Sequence, residues 1–166
     1  MYNDDALALK EVLLSKYKLQ PEHITVLLDH KATRAAILEA FKQLVDECHK
    51  RGMAVILDVV YNHATGQNPF YRMWNTDGGG YGGLASADSP FFNPVATHSY
   101  SVFNDFNHSK QATRNYVKRT TQYWIAEYKI DGFRWDLTKG FTQNCSSTNE
   151  TCTNATQADR VAVLKQ

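Results

Sequence analysis

The pattern of apolar and polar positions changes period several times along the chain, and each change marks an element. Residues 4–17 place Ala6, Leu9, Leu13 and Tyr17 at helical spacing, with Asn3 in cap position and acids in the first turn. After Gln20-Pro21, the short run from His23 to Asp29 is apolar and β-branched, which predicts a strand. A second helix follows, capped by Thr33. Its Ile37, Phe41, Leu44 and Cys48 share one face, Leu38 and Val45 lie beside it, and Lys50-Arg51-Gly52 gives a basic last turn and a glycine stop. Met53 to Tyr61 then reads as the near-continuous apolar run of a buried parallel strand, carrying Asp58 and running into Asn62 and His63. From 64 to 108 no period holds. That stretch is rich in glycine and aromatic residues, and its aromatics argue for a folded excursion. A third helix over 109–128 feeds a strand over 130–137, and strand, crossover helix, strand is the parallel unit. The prediction is an α/β fold in which parallel strands alternate with helices, followed by a polar tail over 141–166.

The strand from Ile130 has a charged side. Successive side chains on a strand point to opposite faces, so Gly132, Arg134 and Asp136 share one side and Phe133, Trp135 and Leu137 the other. A strand buried on both faces should be nearly all Val, Ile and Leu. A guanidinium and a carboxylate there cost desolvation energy unless they pair, which marks a site or, alternatively, a buried ion pair that pins packing. In parallel α/β proteins ligands bind beyond the carboxyl ends of the strands. Asp58, Asn62 and His63 close one strand and Arg134 and Asp136 the next, so pairing the two strands would bring both sets to one rim. A carboxylate beside an arginine has its charged form favoured, as a carboxylate nucleophile requires. His63 reads either as a hydrogen-bond donor to a sugar or as a loop histidine satisfied by backbone.

Composition narrows the partners. Eighteen basic and seventeen acidic residues leave a formal charge of +1, so neither nucleic acid nor an anionic membrane is an expected partner. The sequence contains no apolar run of about 18 residues, and its acidic start, Met1-Tyr2-Asn3-Asp4-Asp5, lacks the basic region of a signal peptide. Localisation is left open. The 166 residues suffice for one core but fall short of the roughly 250 of a closed eight-stranded α/β barrel. Cys48 falls on a helix face and reads as core, while Cys145 and Cys152 are placed either to bridge the polar tail or to stay reduced. Asn144, Asn149 and Asn154 each open an acceptor sequon.

The stretch from Phe41 to about Phe141 resembles the α-amylase family of glycoside hydrolases. Asp58-Val59-Val60-Tyr61-Asn62-His63 is similar to that family's first sequence region, and Gly132-Phe133-Arg134-Trp135-Asp136 with Lys139 to its second. The resemblance implies a partial (β/α)8 TIM-barrel-like piece acting on α-glucans. It makes Asp136 the nucleophile and Arg134 its ionising partner. It also implies that Asp58, Tyr61, His63 and Lys139 serve substrate and site architecture, that Asn62 matches a position that often ligates calcium, and that 64–108 is the family's inserted subdomain, with Trp74 and Tyr81 stacking on sugar. The family's acid/base glutamate and its later His-Asp region have no counterpart, because the only glutamate after Glu127 is Glu150 in the tail. The expectation is therefore a fragment of a retaining α-glucan hydrolase, inactive alone, with an open sheet edge that a second chain is suited to cover. A carbohydrate-binding remnant without catalysis is the alternative.

Residues 1–40 resemble something else. Asn3-Asp4-Asp5-Ala6, Ile24-Thr25-Val26-Leu27-Leu28-Asp29 and Ala32-Thr33-Arg34-Ala35-Ala36-Ile37 are similar to the opening of caspase-like cysteine peptidases, the metacaspase group in particular. This resemblance implies a three-layer Rossmann-like sandwich as the rival fold and a Cys–His peptidase using His63 as the rival enzyme. The rival lacks its nucleophile, since Asp136 is followed by leucine where that family has cysteine. The resulting organisation is a caspase-like αβ unit over 1–40, joined within a shared helix to an amylase-like piece over 41–166.

Overall fold

The computed structural model describes residues 2–165, which divide into two compact units, Met1–Val55 and Ile56–Gln166. In the first unit, helix α1 (Tyr2–Ser15) starts ahead of Asn3, so that residue lies in the first turn instead of capping it. Asp4 and Asp5 occupy the same turn, where carboxylates suit the helix dipole. The strand expected over 23–29 does not form. Ile24 and Leu28 are extended, but Pro21–His23 and Asp29–Lys31 wind into 3-10 turns and nothing ladders with the segment between them. Apolar, β-branched sequence favours extended backbone, and only a hydrogen-bonded neighbour makes that backbone a strand.

Helix α2 (Arg34–Lys50) matches its sequence signals at both ends. Thr33 Oγ1 accepts from Ala36 N at 3.2 Å, and Gly52, at φ +70°, lets its own N–H and that of Met53 return to the carbonyls of His49 and Cys48. Of the expected apolar face only Val45 is fully buried, and Ile37 and Leu44 stay exposed. Cys48, expected in the core, is half-buried and lines a cavity of about 360 Å3 within this unit.

The second unit is built on two parallel strands, β1 (Ile56–Val60) and β4 (Gly132–Asp136), in the register Asp58 opposite Arg134 and Val60 opposite Asp136. The crossover helix is α4 (Gln111–Tyr128). Leu57, Val59, Phe133 and Trp135 pack with Tyr61, Tyr116 and Val117, and Phe141 and Val163 from the chain beyond β4 complete this core. Strand alternation then sends Ile56, Asp58, Val60 and Arg134 to the opposite face, which is exposed. The charged face of β4 is thus exposed and not buried as expected, because among the described residues of this unit no further strand or helix covers it. Leu137 does not extend the apolar side either. It turns left-handed at φ 51° and ends the strand at Asp136.

The excursion between β1 and α4 is folded on aromatics. Short strands β2 (His63–Ala64) and β3 (Asn104–Asp105) pair antiparallel, with helix α3 (Pro69–Met73) between them, capped by the Asn68 side chain. Tyr71, Ala85, Phe92 and Phe106 form a buried cluster, and Phe70 stacks on Phe91 at 4.5 Å. The tail is folded too. Cys145 and Cys152 form a disulfide, α5 (Glu150–Asn154) is capped by Asn149, and α6 (Ala158–Leu164) places Asp159 so that its carboxylate accepts from Thr142 Oγ1 and Gln143 N. Little of this follows from hydropathy, because apart from Phe141 and Val163, which reach the core, the tail is held by polar contacts and the disulfide.

Candidate active site

The register of β1 and β4 places Arg134 between two carboxylates. Its Nη1 donates to Asp58 Oδ1 at 3.0 Å, to Asp58 Oδ2 at 3.3 Å and to Asp136 Oδ1 at 3.0 Å. The side chains of Arg134 and Asp58 are 57% and 65% exposed, and that of Asp136 is 37% exposed, so the group is a solvated rim and not a packing pair. The guanidinium is pushed above its ordinary pKa, by the hydrogen bond to Asp58 first and then by the charge of Asp136. One arginine therefore fixes two acids at the carboxyl end of a parallel pair, where a bound ligand would meet them.

His63 follows two residues after Tyr61, on β2, with Asp105 opposite it in the register. Burial lowers its pKa, and the charges of Asp105 and Asp136 oppose that shift, so the ring is neutral near pH 7. Asn62 Nδ2 lies 3.5 Å from Nδ1, and donating to it leaves the proton on Nε2. Beneath the rim, His98 is fully buried with both ring nitrogens on oxygens, Ser99 O at 2.5 Å and Asp105 Oδ1 at 2.8 Å. Burial acts to lower the His98 pKa, but the hydrogen bond to Asp105 and the Ser99 carbonyl outweigh it and the net shift is upward. Asp105 Oδ2 accepts from Asn93 Nδ2, which also donates to Gln143 Oε1. This polar floor has no periodicity, and sequence reasoning missed it.

Other expected residues fall differently. Tyr61 belongs to the core: it is buried, and its hydroxyl donates to Thr120 Oγ1 at 2.8 Å, because alternation from β1 turns it toward α4. Lys139 lines a cleft of about 230 Å3 with Asn62, Tyr100, Leu137, Thr138 and Gly140, but its Nζ donates to Asn154 Oδ1 at 2.5 Å and lies 5.8 Å from the Tyr100 ring. Glu150 belongs to the same cluster, where it accepts the Tyr100 hydroxyl. Tyr81 is engaged within the insert, where the Arg72 guanidinium lies 4.5 Å over its ring, and the Trp74 backbone carbonyl accepts from Ser86 N and Oγ. The aromatic that does stand beside the site is Phe103, whose ring centroid is 5.7 Å from that of His63. Asn62 Oδ1 is buried without a hydrogen-bond partner.

A parallel strand–helix–strand unit with its charged side chains at the strand ends is the repeating element of a (β/α)8 catalytic barrel. Comparisons with known proteins make this more specific. Residues 37–92 match the family described as α-amylase catalytic domain. The chain is 36% identical over 113 residues to the chloroplastic isoamylase SU1 of Zea mays, and 38% identical over 117 residues to chloroplastic isoamylase 1 of Oryza sativa subsp. japonica. These matches cover 66% and 68% of this chain but only 13% and 14% of the relatives' own lengths. Amy13B of Eubacterium rectale shares the fold, with a TM-score of 0.54 at 24% identity over 77% of this chain and 27% of that one. The matched part of the chain is thus a piece of an α-amylase-family catalytic domain with a partial TIM-barrel-like α/β fold.

Proposed function

We propose that the chain carries the nucleophile side of a retaining α-glucan hydrolase site, with Asp136 as nucleophile, Arg134 holding it in place, and Asp58, His63 and Lys139 contacting the substrate or supporting its site. The observation that supports this most is the β1–β4 register, which puts Asp58, Arg134 and Asp136 in one hydrogen-bonded group at the strands' carboxyl ends. In the step proposed, an Asp136 oxygen bonds the anomeric carbon as the bond from that carbon to the leaving oxygen breaks, and the leaving oxygen takes a proton from a second carboxylic acid. Asp58 is unsuited to that role, because both of its oxygens are taken up by Arg134 Nη1. Glu150 is tied to Tyr100. Alone, then, the chain binds α-glucan and does not turn it over.

Purified chain and its Asp136→Asn variant, incubated with soluble starch and maltooligosaccharides, test this. The expected result is binding without release of reducing sugar. Turnover abolished by the variant would show that an acid has been supplied and that the incompleteness argued above is wrong. Turnover equal in both would remove Asp136 from the reaction.

Calcium enters through a single atom. The buried, unpartnered Asn62 Oδ1 suits an oxygen-seeking cation, but among the described residues no group of three or more His, Cys, Asp or Glu is placed to hold a metal. Backbone carbonyls and water would have to supply most of the roughly six to eight oxygens calcium takes. Added calcium should raise thermal stability in the parent and not in Asn62→Ala. Equal melting with calcium and with a chelator in the parent would remove the ion from the proposal.

Residues 1–40 are proposed to derive from a caspase-like αβ unit, the junction lying inside α2. The α-amylase match begins at residue 37, within the same helix. A Cys–His peptidase finds no support, since two of the three cysteines are joined as Cys145–Cys152.

A further inference from the structure

We propose that a cavity bounded by the start of α4 and the folded tail binds a small neutral alcohol with an apolar body. The cavity measures about 300 Å3, and none of Asp58, His63, Arg134 or Asp136 lines it, so it is separate from the rim. Two of its lining side chains carry a buried polar atom with no hydrogen-bond partner among the described residues, His108 Nδ1 and Arg114 Nε. Buried polar groups are rarely left so, because each has lost its bonds to water and gained none in return. Both side chains are held in place. His108 is 1% exposed and stacked on Phe141, and the Arg114 guanidinium is anchored by Nη2, which donates to Ser109 O at 3.1 Å.

The two free atoms have opposite character. His108 Nε2 donates to the Tyr61 carbonyl, which can only accept, so the neutral ring keeps a lone pair on Nδ1. Burial holds that ring neutral by lowering its pKa to about 4. Arg114 Nε carries a hydrogen and can only donate. A hydroxyl serves both, giving its hydrogen to Nδ1 and accepting one from Nε. The other polar groups on the wall are already engaged. Each Asp159 oxygen lies within hydrogen-bond distance of Thr142 Oγ1 and accepts one backbone N–H, from Arg160 or from Gln143. The Gln143 side chain accepts from Asn93 and donates to Thr142 O. A charged ligand would meet one guanidinium and one carboxylate, so attraction to one is offset by repulsion from the other while its hydration is lost. Phe141, Ala162 and Val163 supply an apolar wall. One hydroxyl on an apolar body is the combination these surfaces match.

Benzyl alcohol, benzylammonium and benzoate share an aromatic ring and differ in the charge of the head, which makes them suitable probes. Titration of the full chain followed by NMR should show saturable binding of benzyl alcohol at about 1 mM, with the methyl signals of Ala162 and Val163 shifting. The two ions should bind at least about tenfold more weakly. Arg114→Met removes the donor and keeps the aliphatic stem at a partly exposed position. It should weaken benzyl alcohol by about tenfold while melting close to the parent. Parent-like affinity in that variant would overturn the proposal, as would either ion binding as tightly as the alcohol. Shifts confined to residues outside the cavity would overturn it too. No saturable binding of any probe up to about 10 mM would leave the two buried atoms to ordered water and overturn it outright.

Discussion

At the scale of single residues, the second unit depends on buried polar side chains whose partners are fixed. His108 is the clearest. It is almost fully buried, its Nε2 donates to Tyr61 O at 2.8 Å, its Nδ1 is buried without a partner, and its ring lies 4.0 Å from that of Phe141. Burial pulls its pKa down from 6.5 to about 4, and the Tyr61 carbonyl opposes this only in part. Since the folded value lies below the unfolded one, the contribution to stability is whole above 6.5 and disappears as the pH falls toward 4. Across that window it amounts to on the order of 3 kcal/mol. Urea unfolding at pH 7 and at pH 4.5 should therefore show a loss that His108→Gln largely removes, and an unchanged loss in the variant would refute the assignment. His108 itself carries no signal in the sequence. Asp58, Arg134 and Asp136 were legible because charge on an apolar strand is conspicuous, whereas a histidine in a polar loop is not. The reason first given for those charges was nevertheless wrong: the strand has one wet face, so they are paired without being desolvated.

At the scale of elements, what could be read was what is determined locally. The Thr33 cap, the Gly52 stop and the periods of α2, α4, β1 and β4 appear within a residue or a few of where the sequence places them. The segment from Ile24 to Asp29 carries the same composition as β1 and forms no strand, because strand formation depends on a neighbour that no local pattern encodes. The folded tail was legible only in the bridge that Cys145 and Cys152 could form, since the rest of its order comes from Asp159, Thr142 and Asn149, with Phe141 and Val163 reaching the core. The Cys145–Cys152 bridge closes a short loop of sequence separation 7, for which unfolded-state entropy suggests about 2.5 kcal/mol of stabilisation. Reduction should lower the melting temperature and expose α5 to proteolysis. A Cys145→Ser/Cys152→Ser variant with parent-like melting would show that Asn149 and Asp159 hold the segment unaided.

At the scale of the whole molecule, the second unit is a two-stranded parallel sheet with helices and insert on one side and water on the other. Ile56 and Val60 lie exposed on that open face, and neither outer strand edge is paired among the described residues. An exposed parallel pair with apolar side chains and unpaired edges is a template for adding further strands from other molecules. What interrupts it is the charged rim. Asp58 and Arg134 stand in the middle of the face, between Ile56 and Val60 on one strand and beside Gly132 on the other, and Asp136 closes its end. The group proposed for catalysis is thus also placed where charge hinders strand addition. Replacing Asp58 with Asn and Arg134 with Gln removes both charges while leaving polar side chains, and should shorten the lag of thioflavin-T-positive assembly under conditions in which the parent stays monomeric. If the parent and the double variant aggregate at the same rate, the rim has no such role. If the variant aggregates faster, these charges keep the chain dispersed independently of any reaction at the rim.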